Sequence, residues 1–201
     1  MDTALIKGII IGFSIAAPVG AIGVLCIRRT LAYGWECGFF SGLGAATADA
    51  IYGSIAALGI TVISDFLIKQ VFWLQFIGGI FLLYLGIKTF LSKPREDHNS
   101  EVPKVTNVYV STLFLTITNP MTIVSFTGIF AGVGIASTNN YKHSMLLVLG
   151  VFLGSVLWWV ILSTSISIFR NKIGFRILNL INKISGIIII VFAMVCFTKI
   201  I

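Results

Sequence analysis

Residues 37–63 decide the fold, and they read CGFFSGLGAATADAIYGSIAALGITVI. Asp49, the thirteenth of these 27 residues, is the only charged side chain among them. A helix needs about 20 apolar residues to cross the hydrocarbon core of a bilayer, which is about 30 Å thick. The stretch is therefore long enough to span a membrane as a helix, with one carboxylate near its middle.

The whole chain has the same character. Its 201 residues are 57% hydrophobic and only 10% charged, and its mean hydropathy is +1.03. A soluble domain is usually about a quarter charged, so this chain lacks the ions that would cover a water-facing surface. Composition excludes a soluble enzyme, a disordered chain and a nucleic-acid-binding module. It predicts an integral membrane protein that partners the lipid bilayer and no nucleic acid.

Six apolar stretches are long enough to span a bilayer. They are residues 4–27, 37–63, 71–91, 108–131, 145–169 and 177–199. Because they are continuously apolar and do not alternate, they favour helices over a β-barrel. We predict an all-α integral membrane protein with six transmembrane helices: a first three-helix repeat at 1–91, a polar linker at 92–107 and a second repeat at 108–201.

The two halves share short motifs. Ala17-Pro18-Val19 corresponds to Asn119-Pro120-Met121, and Ile77-Gly78-Gly79-Ile80 corresponds to Ile184-Ser185-Gly186-Ile187. A repeat of three spans must insert upside down relative to its copy. Such inverted repeats are a common transporter plan, with the binding site at the repeat interface. We therefore expect two inverted three-helix repeats.

The basic excess indicates membrane orientation. Fourteen Lys and Arg against seven Asp and Glu give a net charge of +7. Nine of the basic residues follow the first, third and fifth predicted helices, and five lie on the other side. By the positive-inside rule, both termini are expected outside the cytoplasm. Cys26, Cys37 and Cys196 have no metal-binding spacing, so no metal site is predicted.

Asp49 is the leading candidate for function. Placing a carboxylate at the bilayer centre costs at least about 2.5–3.5 kcal/mol. It must face a polar interior, pair with a cation or stay protonated. It is a candidate coupling-ion or substrate-amine site; the alternative is a protonated carboxyl that bonds a neighbouring helix. Thr47 lies two residues away, and Tyr52, at i+3, lies on nearly the same face.

Pro18 and Pro120 each lie near the middle of a predicted span. Proline removes a backbone hydrogen bond, and lipid cannot satisfy the freed carbonyl, so each break must border protein or a wet cavity. At a break, helix N-termini suit a carboxylate and freed carbonyls suit a cation or an ammonium group. Gly20 adds backbone access beside Pro18. Ordinary kinks are the alternative.

Polar side chains cluster around the second break. Asn119 is expected to face the same cavity as Asp49, with Thr118 and Thr122 beside it, whereas Thr116 and Thr127 are expected to bond their own helix. One of Trp158 and Trp159 is expected to line the cavity. Arg28 and Arg29 are interpreted as anchors at a helix end, near lipid phosphate.

Enzymatic chemistry finds no support in the sequence, and we predict no catalytic residue. Intramembrane aspartyl proteolysis needs two carboxylates, and serine chemistry needs a base at depth, whereas His98 and His143 lie in connections. No phosphate-binding or dinucleotide fingerprint is present. No cofactor is expected beyond a coupling proton or sodium ion.

Several of these motifs resemble the LysE/RhtB-type (lysine exporter) amino-acid translocator family. Ala17-Pro18-Val19-Gly20 is similar to its opening proline–glycine motif, although the common Pro-Gly-Pro pattern has one proline here. The run from Gly34 to Asp49, the segment 76–86 and Thr118-Asn119-Pro120 are also typical. The resemblance implies a bacterial inner-membrane exporter of amino acids or similar small metabolites, working by ion-coupled antiport, often as a homo-oligomer.

Two alternatives stay open at this point. The wider superfamily includes exporters of metal ions such as cadmium, so a divalent cation is a second substrate class. A non-transporting membrane scaffold or subunit is the other alternative, in which Asp49 and Asn119 would face a dry, packed interface.

Overall fold

The computed structural model describes residues 3–57, 70–92, 102–119, 122, 125–126, 141–170 and 174–198. The secondary structure of these ranges is helical, as predicted. Seven helices lie within them: α1 (Thr3–Ala16), α2 (Ala21–Tyr33), α3 (Trp35–Ala57), α4 (Val71–Leu91), α5 (Val105–Ile117), α6 (Tyr141–Arg170) and α7 (Phe175–Thr198). The predicted arrangement of six helices is not confirmed, because the described residues form seven helices and the first predicted span consists of two of them.

The first span breaks where proline predicts it. α1 ends at Ala16, α2 begins at Ala21, and the two helices are bent by 81°. The predicted end of this span at residue 27 is wrong, because α2 continues to Tyr33. Gly34 then turns the chain into α3 with a φ of 103°, a left-handed conformation that favours glycine.

Three helices of the described residues are long and apolar enough to cross a membrane, namely those over Phe72–Leu91, Tyr141–Arg170 and Arg176–Thr198. The bent pair of α1 and α2 makes a fourth if it counts as one span. Large apolar side chains are exposed along α6 at every fourth position, as on a face that meets lipid. They are Met145, Leu149, Leu153, Leu157 and Ile161.

Glycines let α1 and α6 pack backbone to backbone. A Cβ atom on Gly12 would overlap the Val151 carbonyl oxygen, and one on Gly154 would overlap the Ile9 carbonyl oxygen. Gly8 and Gly150 meet each other in the same reciprocal way. Both helices thus carry a Gly-xxx-Gly pair, the pattern that brings transmembrane helices into close contact.

α3 lies in the middle of the bundle, where it packs against α2, α5 and α6, while α4 packs against α7. Small residues of α3 allow its neighbours to approach closely. Gly42 lies against the Trp159 side chain, and Gly44 lies against the Tyr109 carbonyl. This central position buries Asp49, which is 4% exposed, away from the lipid-facing surface.

Candidate functional site

A cavity of about 530 Å³ opens between the break of the first span and the helices around it. Its volume falls within the range of small-molecule sites. The lining combines a few polar groups with many apolar ones: Ile15, Ala16, Pro18, Val19, Gly20, Ala21, Ile22, Gly23, Ala45, Asp49, Leu82, Thr116, Asn119, Thr122, Ser125, Trp159, Phe192, Val195 and Cys196.

Asp49 is held in the cavity wall by a short chain of hydrogen bonds. The Ser155 hydroxyl donates to Asp49 Oδ2 at 2.7 Å, and Trp159 Nε1 donates to Ser155 Oγ at 3.2 Å. The serine oxygen thus accepts from the indole N–H while its own proton is donated to the carboxylate. Within the described ranges no cation pairs with Asp49. The group can therefore accept a proton or a cationic ligand from the cavity.

The first break presents backbone donors to the cavity. Val24 donates to the Gly20 carbonyl at 3.0 Å and so closes the first turn of α2. The N–H groups of the first turn of a helix have no partner within the helix, and Gly20 has no side chain that could cap them. Ala21, Ile22 and Gly23, which carry these groups, all line the cavity.

The same break leaves carbonyl oxygens at the end of α1. Ala17 donates to the Phe13 carbonyl at 2.9 Å, but Pro18 has no N–H to donate to Ser14. The Ser14, Ile15 and Ala16 carbonyls receive no cross-break donor from the described residues. An acceptor end and a donor end thus flank one cavity.

The second break, as far as the structure describes it, is closed on the side of α5. α5 ends at Ile117, and each of its last four carbonyls accepts a hydrogen bond. The donors are the Thr118 amide and hydroxyl to Phe114 at 3.0 and 2.9 Å, the Thr118 hydroxyl to Leu115 at 3.3 Å, the Asn119 amide to Thr116 at 3.2 Å and the Tyr52 hydroxyl to Ile117. The carbonyls that Pro120 was expected to free are already occupied.

The structure brings five of the nine candidate residues together around the cavity. They are Asp49, Pro18, Gly20, Asn119 and Thr122. Asn119 and Asp49 line the same cavity, as predicted. Pro120 lies outside the described residues.

Three candidates lie elsewhere. Thr47 donates to the Leu43 carbonyl and accepts from the Tyr109 hydroxyl. Thr118 and Tyr52 cap the end of α5. Each hydroxyl is used to join or terminate helices, so these residues support the walls of the cavity rather than line it.

The expectation for Arg28 and Arg29 is wrong. They lie within α2 and not at its end, and each is only 8% exposed. Arg29 Nη1 donates to Ser41, Thr112 and the Val108 carbonyl, and its Nη2 donates to Ser111.

Arg28 is held in a similar way, by Asn182 at 3.1 Å and Ser92 at 3.1 Å. Together the two guanidinium groups bind α2 to α3, α5, α7 and the end of α4. Buried charges that find enough acceptors remain stable, so these arginines join helices instead of meeting lipid.

Sequence reasoning missed Ser155 and the apolar part of the wall. Ser155 is the one hydroxyl between Ser144 and Ser163 in this helix, beside Gly154 and four residues before Trp159, and that spacing was the available signal. Of the two tryptophans, Trp159 lines the cavity and Trp158 packs edge-on against Phe13 at 5.4 Å. Thr116 bonds the Thr112 carbonyl as expected, yet it also lines the cavity.

A metal centre has no obvious donor set here. No group of three or more His, Cys, Asp or Glu side chains occurs within the described ranges. The three cysteines are buried, and buried cysteine behaves as a small hydrophobic residue.

Pro18, Gly20, Asp49 and Asn119 line this cavity, and they belong to the motifs that resemble a known translocator family. The family model described as "LysE type translocator" matches residues 13–199. The chain belongs to the LysE type translocator family. It is accordingly a membrane protein of a transporter family, with a small molecule as its substrate.

Curated relatives cover nearly the whole chain at low identity. "Putative amino acid efflux protein YcgF" of Bacillus subtilis (strain 168) is 28% identical over 193 residues, 92% of this chain and 90% of the relative. "Uncharacterized membrane protein YrhP" of the same strain is 26% identical over 86% of this chain and 88% of its own. "Uncharacterized membrane protein YahN" of Escherichia coli (strain K12) is 28% identical over 87% and 80%. No solved structure matches the chain.

Proposed function

We propose that this LysE-family translocator is a secondary-active exporter of amino acids or related small metabolites across the bacterial inner membrane. It works by alternating access, with antiport of a proton or a sodium ion, and it performs no enzymatic reaction. The observation that supports this most is the cavity in which Asp49 faces the break between α1 and α2. The name of the Bacillus relative points to the same substrate class.

A zwitterion suits the two poles of this cavity. Its carboxylate would accept from the first-turn N–H groups of α2, where the helix dipole favours negative charge. Its ammonium group would lie toward Asp49 and the carbonyls at the end of α1. Asn119 and Thr122 supply further polar contacts from the other half of the chain.

Coupling would follow from competition for Asp49. When a proton or sodium ion occupies the carboxylate, the ammonium group of the substrate loses its partner. Binding of ion and substrate from opposite sides of the membrane would then exchange one for the other. Ser155 and Trp159 hold the carboxylate in place in either state.

We also infer that residues 1–91 and 108–201 are inverted three-helix repeats joined by the linker 92–107. If one repeat is superposed on the other, α1 corresponds to α5, α3 to α6 and α4 to α7. The contact of α1 with α6 then corresponds to that of α5 with α3, and both contacts occur. The α3–α6 and α4–α7 pairs map onto themselves. This reciprocity supports the repeat. The larger number of basic residues after the first, third and fifth predicted helices supports termini outside the cytoplasm.

The proposal is tested with the purified chain in proteoliposomes. Uptake of labelled leucine, lysine, glutamate and Cd²⁺ is measured under an imposed proton or sodium gradient. We expect at least one amino acid to accumulate, and Asp49→Asn to reduce gradient-driven accumulation at least tenfold. The amide keeps the shape of the side chain and can still accept from Ser155, so insertion and thermal stability should be preserved.

Glu36→Gln is the matched control, because Glu36 is an exposed acid in the first turn of α3. It should transport like the unmodified chain. Full gradient-driven transport by Asp49→Asn at normal expression would contradict the coupling role. Accumulation of Cd²⁺ without any amino acid would establish the metal alternative, and no accumulation of any solute would favour a scaffold.

A further inference from the structure

We infer that the substrate is an amino acid with a single ammonium group, a single carboxylate and an apolar side chain. This inference rests on the proposed export of amino acids and names the class within it. It is carried by the distribution of charged and apolar groups around the cavity, which differs between its two sides.

Charge is present at one point only. Among the described lining residues, Asp49 is the sole charged side chain. Among the described lining residues, a second ammonium group, as in lysine, would find no further carboxylate, and a second carboxylate, as in glutamate, would find no cationic side chain. Either would be desolvated without compensation.

The helices around the cavity divide its wall into a polar and an apolar part. α3 supplies Asp49, and the end of α5 with the residues after it supplies Thr116, Asn119, Thr122 and Ser125. α4 and α7 contribute Leu82, Phe192, Val195 and Cys196. Their share of the wall is therefore apolar, since cysteine behaves as a small hydrophobic residue when buried.

A zwitterion held at the break and Asp49 would direct its side chain to the part of the wall that α4 and α7 form. Leu82 is 5% exposed and belongs to the same buried cluster as Ala16, Ala21 and Ala45. Each methylene group that leaves water for such a wall strengthens binding about fourfold. Leucine is therefore expected to bind at least about tenfold more tightly than alanine, and much more tightly than lysine or glutamate.

The test is a competition series in proteoliposomes that exchange external [¹⁴C]leucine for internal leucine. Unlabelled leucine, methionine, phenylalanine, alanine, lysine and glutamate are added outside. We expect the first three to inhibit at concentrations at least tenfold below alanine, and lysine and glutamate to inhibit least. Labelled lysine and glutamate are followed in parallel as direct substrates.

The outcomes separate this inference from the proposed function. Asp49-dependent exchange of lysine or glutamate in preference to leucine would agree with the proposed export of amino acids. It would overturn the inference that the substrate has an apolar side chain. Equal inhibition by alanine and leucine would also overturn it. Absence of exchange for every amino acid would overturn both.

Leu82→Asp and Leu82→Asn form a matched pair that tests the wall itself. The aspartate adds a second carboxylate to the apolar side, so lysine exchange should rise at least tenfold relative to leucine exchange. The asparagine has the same shape and no charge, so it should weaken leucine exchange without increasing lysine exchange. Identical selectivity in the two variants would contradict the assignment of this wall to the substrate side chain.

Phe192→Ala provides a second measurement that introduces no buried charge. Phe192 is partly buried against the same cluster, and its truncation leaves room beside the substrate. Preference should move from leucine toward phenylalanine and tryptophan, at least fivefold in the ratio of their inhibition constants. An unchanged ranking of side chains in a folded variant would overturn the inference.

Discussion

The two helix breaks look alike in sequence and differ in their surroundings. At the first, the N-terminus of α2 opens into the cavity, and the Ser14, Ile15 and Ala16 carbonyls receive no donor across the break from the described residues. At the second, all four terminal carbonyls of α5 are occupied. One break offers its backbone to a ligand, and the carbonyls of the other are used within the protein.

The difference lies in two hydroxyl groups and in the Asn119 amide, which donates to the Thr116 carbonyl. Thr118 caps its own helix end, and Tyr52 reaches the Ile117 carbonyl from α3. Around the first break Ala16, Ala17 and Val19 carry no polar side chain, and Gly20 carries none at all. A proline in a membrane helix therefore creates unsatisfied carbonyls, but the neighbouring side chains decide whether these carbonyls remain available to a ligand.

The largest expected effect comes from filling the open break with Gly20→Leu. A Cβ atom on Gly20 would meet nothing within 4 Å, and its φ of −92° suits any residue. The new side chain should occupy the cavity in front of the α2 N-terminus without disturbing the fold. We expect leucine exchange in proteoliposomes to fall at least tenfold, at an unchanged melting temperature.

Gly20→Ala is the matched control, because one methyl group leaves most of the cavity free. It should retain at least half of the exchange rate. Normal exchange by Gly20→Leu would show that the open break is not part of the substrate path, and the distinction between the two breaks would lose its functional meaning.

Local chemistry made some of these features predictable from the sequence. Pro18 breaks its helix because it lacks an N–H, which is a property of one residue. Asp49 faces a cavity because a carboxylate at the centre of a span has few alternatives. The position of Asn119 at the same cavity was predictable for the same reason, since an amide also needs hydrogen-bond partners at that depth.

Features that depend on contacts between distant segments were not predictable. Helical spacing places Tyr52 near the face of Asp49, but it does not tell that Asp49 meets Ser155 on α6 while Tyr52 meets the end of α5. In the sequence, Arg29 resembles a helix-end anchor. Its acceptors on α5 lie about 80 residues further along the chain, so the sequence does not show that they are near. Only the packed bundle shows that a buried arginine has enough acceptors.

A smaller effect is expected from Tyr52→Phe at the closed break. The ring and its packing against Phe126 are kept, and only the donor to the Ile117 carbonyl is lost. The free energy of unfolding should fall by about 1 kcal/mol, because hydrogen bonds between membrane helices contribute amounts of this order. Reversible unfolding in detergent measures the loss.

Tyr52→Phe also tests the comparison by its effect on transport. The half-saturation concentration for leucine should change less than twofold, since Tyr52 does not line the cavity. A tenfold increase at unchanged stability would mean that the closed break takes part in binding, as the sequence had suggested for Tyr52.

The smallest effect is expected from Thr118→Val, which keeps the shape of the side chain and removes its hydroxyl. The Phe114 carbonyl still accepts from the Thr118 amide at 3.0 Å, so only the weaker contact to Leu115 at 3.3 Å is left without a replacement. Valine fits the site because its methyl groups can occupy the space against Gly78 that threonine fills. We expect a loss of about 0.5 kcal/mol in the same unfolding measurement.

The double variant Tyr52→Phe, Thr118→Val then shows whether the closed break acts as one unit. Independent caps would give losses that add, whereas a shared role would make the loss of the double variant differ from the sum of the two single losses by about 0.5 kcal/mol or more, the range of coupling between neighbouring sites. Thr118→Ala is the comparison variant, because it removes the methyl group together with the hydroxyl that lies beside Gly78. If Thr118→Val were as damaging as Thr118→Ala, the hydroxyl would matter more than the packing, and the second break would depend on its caps far more than its satisfied carbonyls indicate.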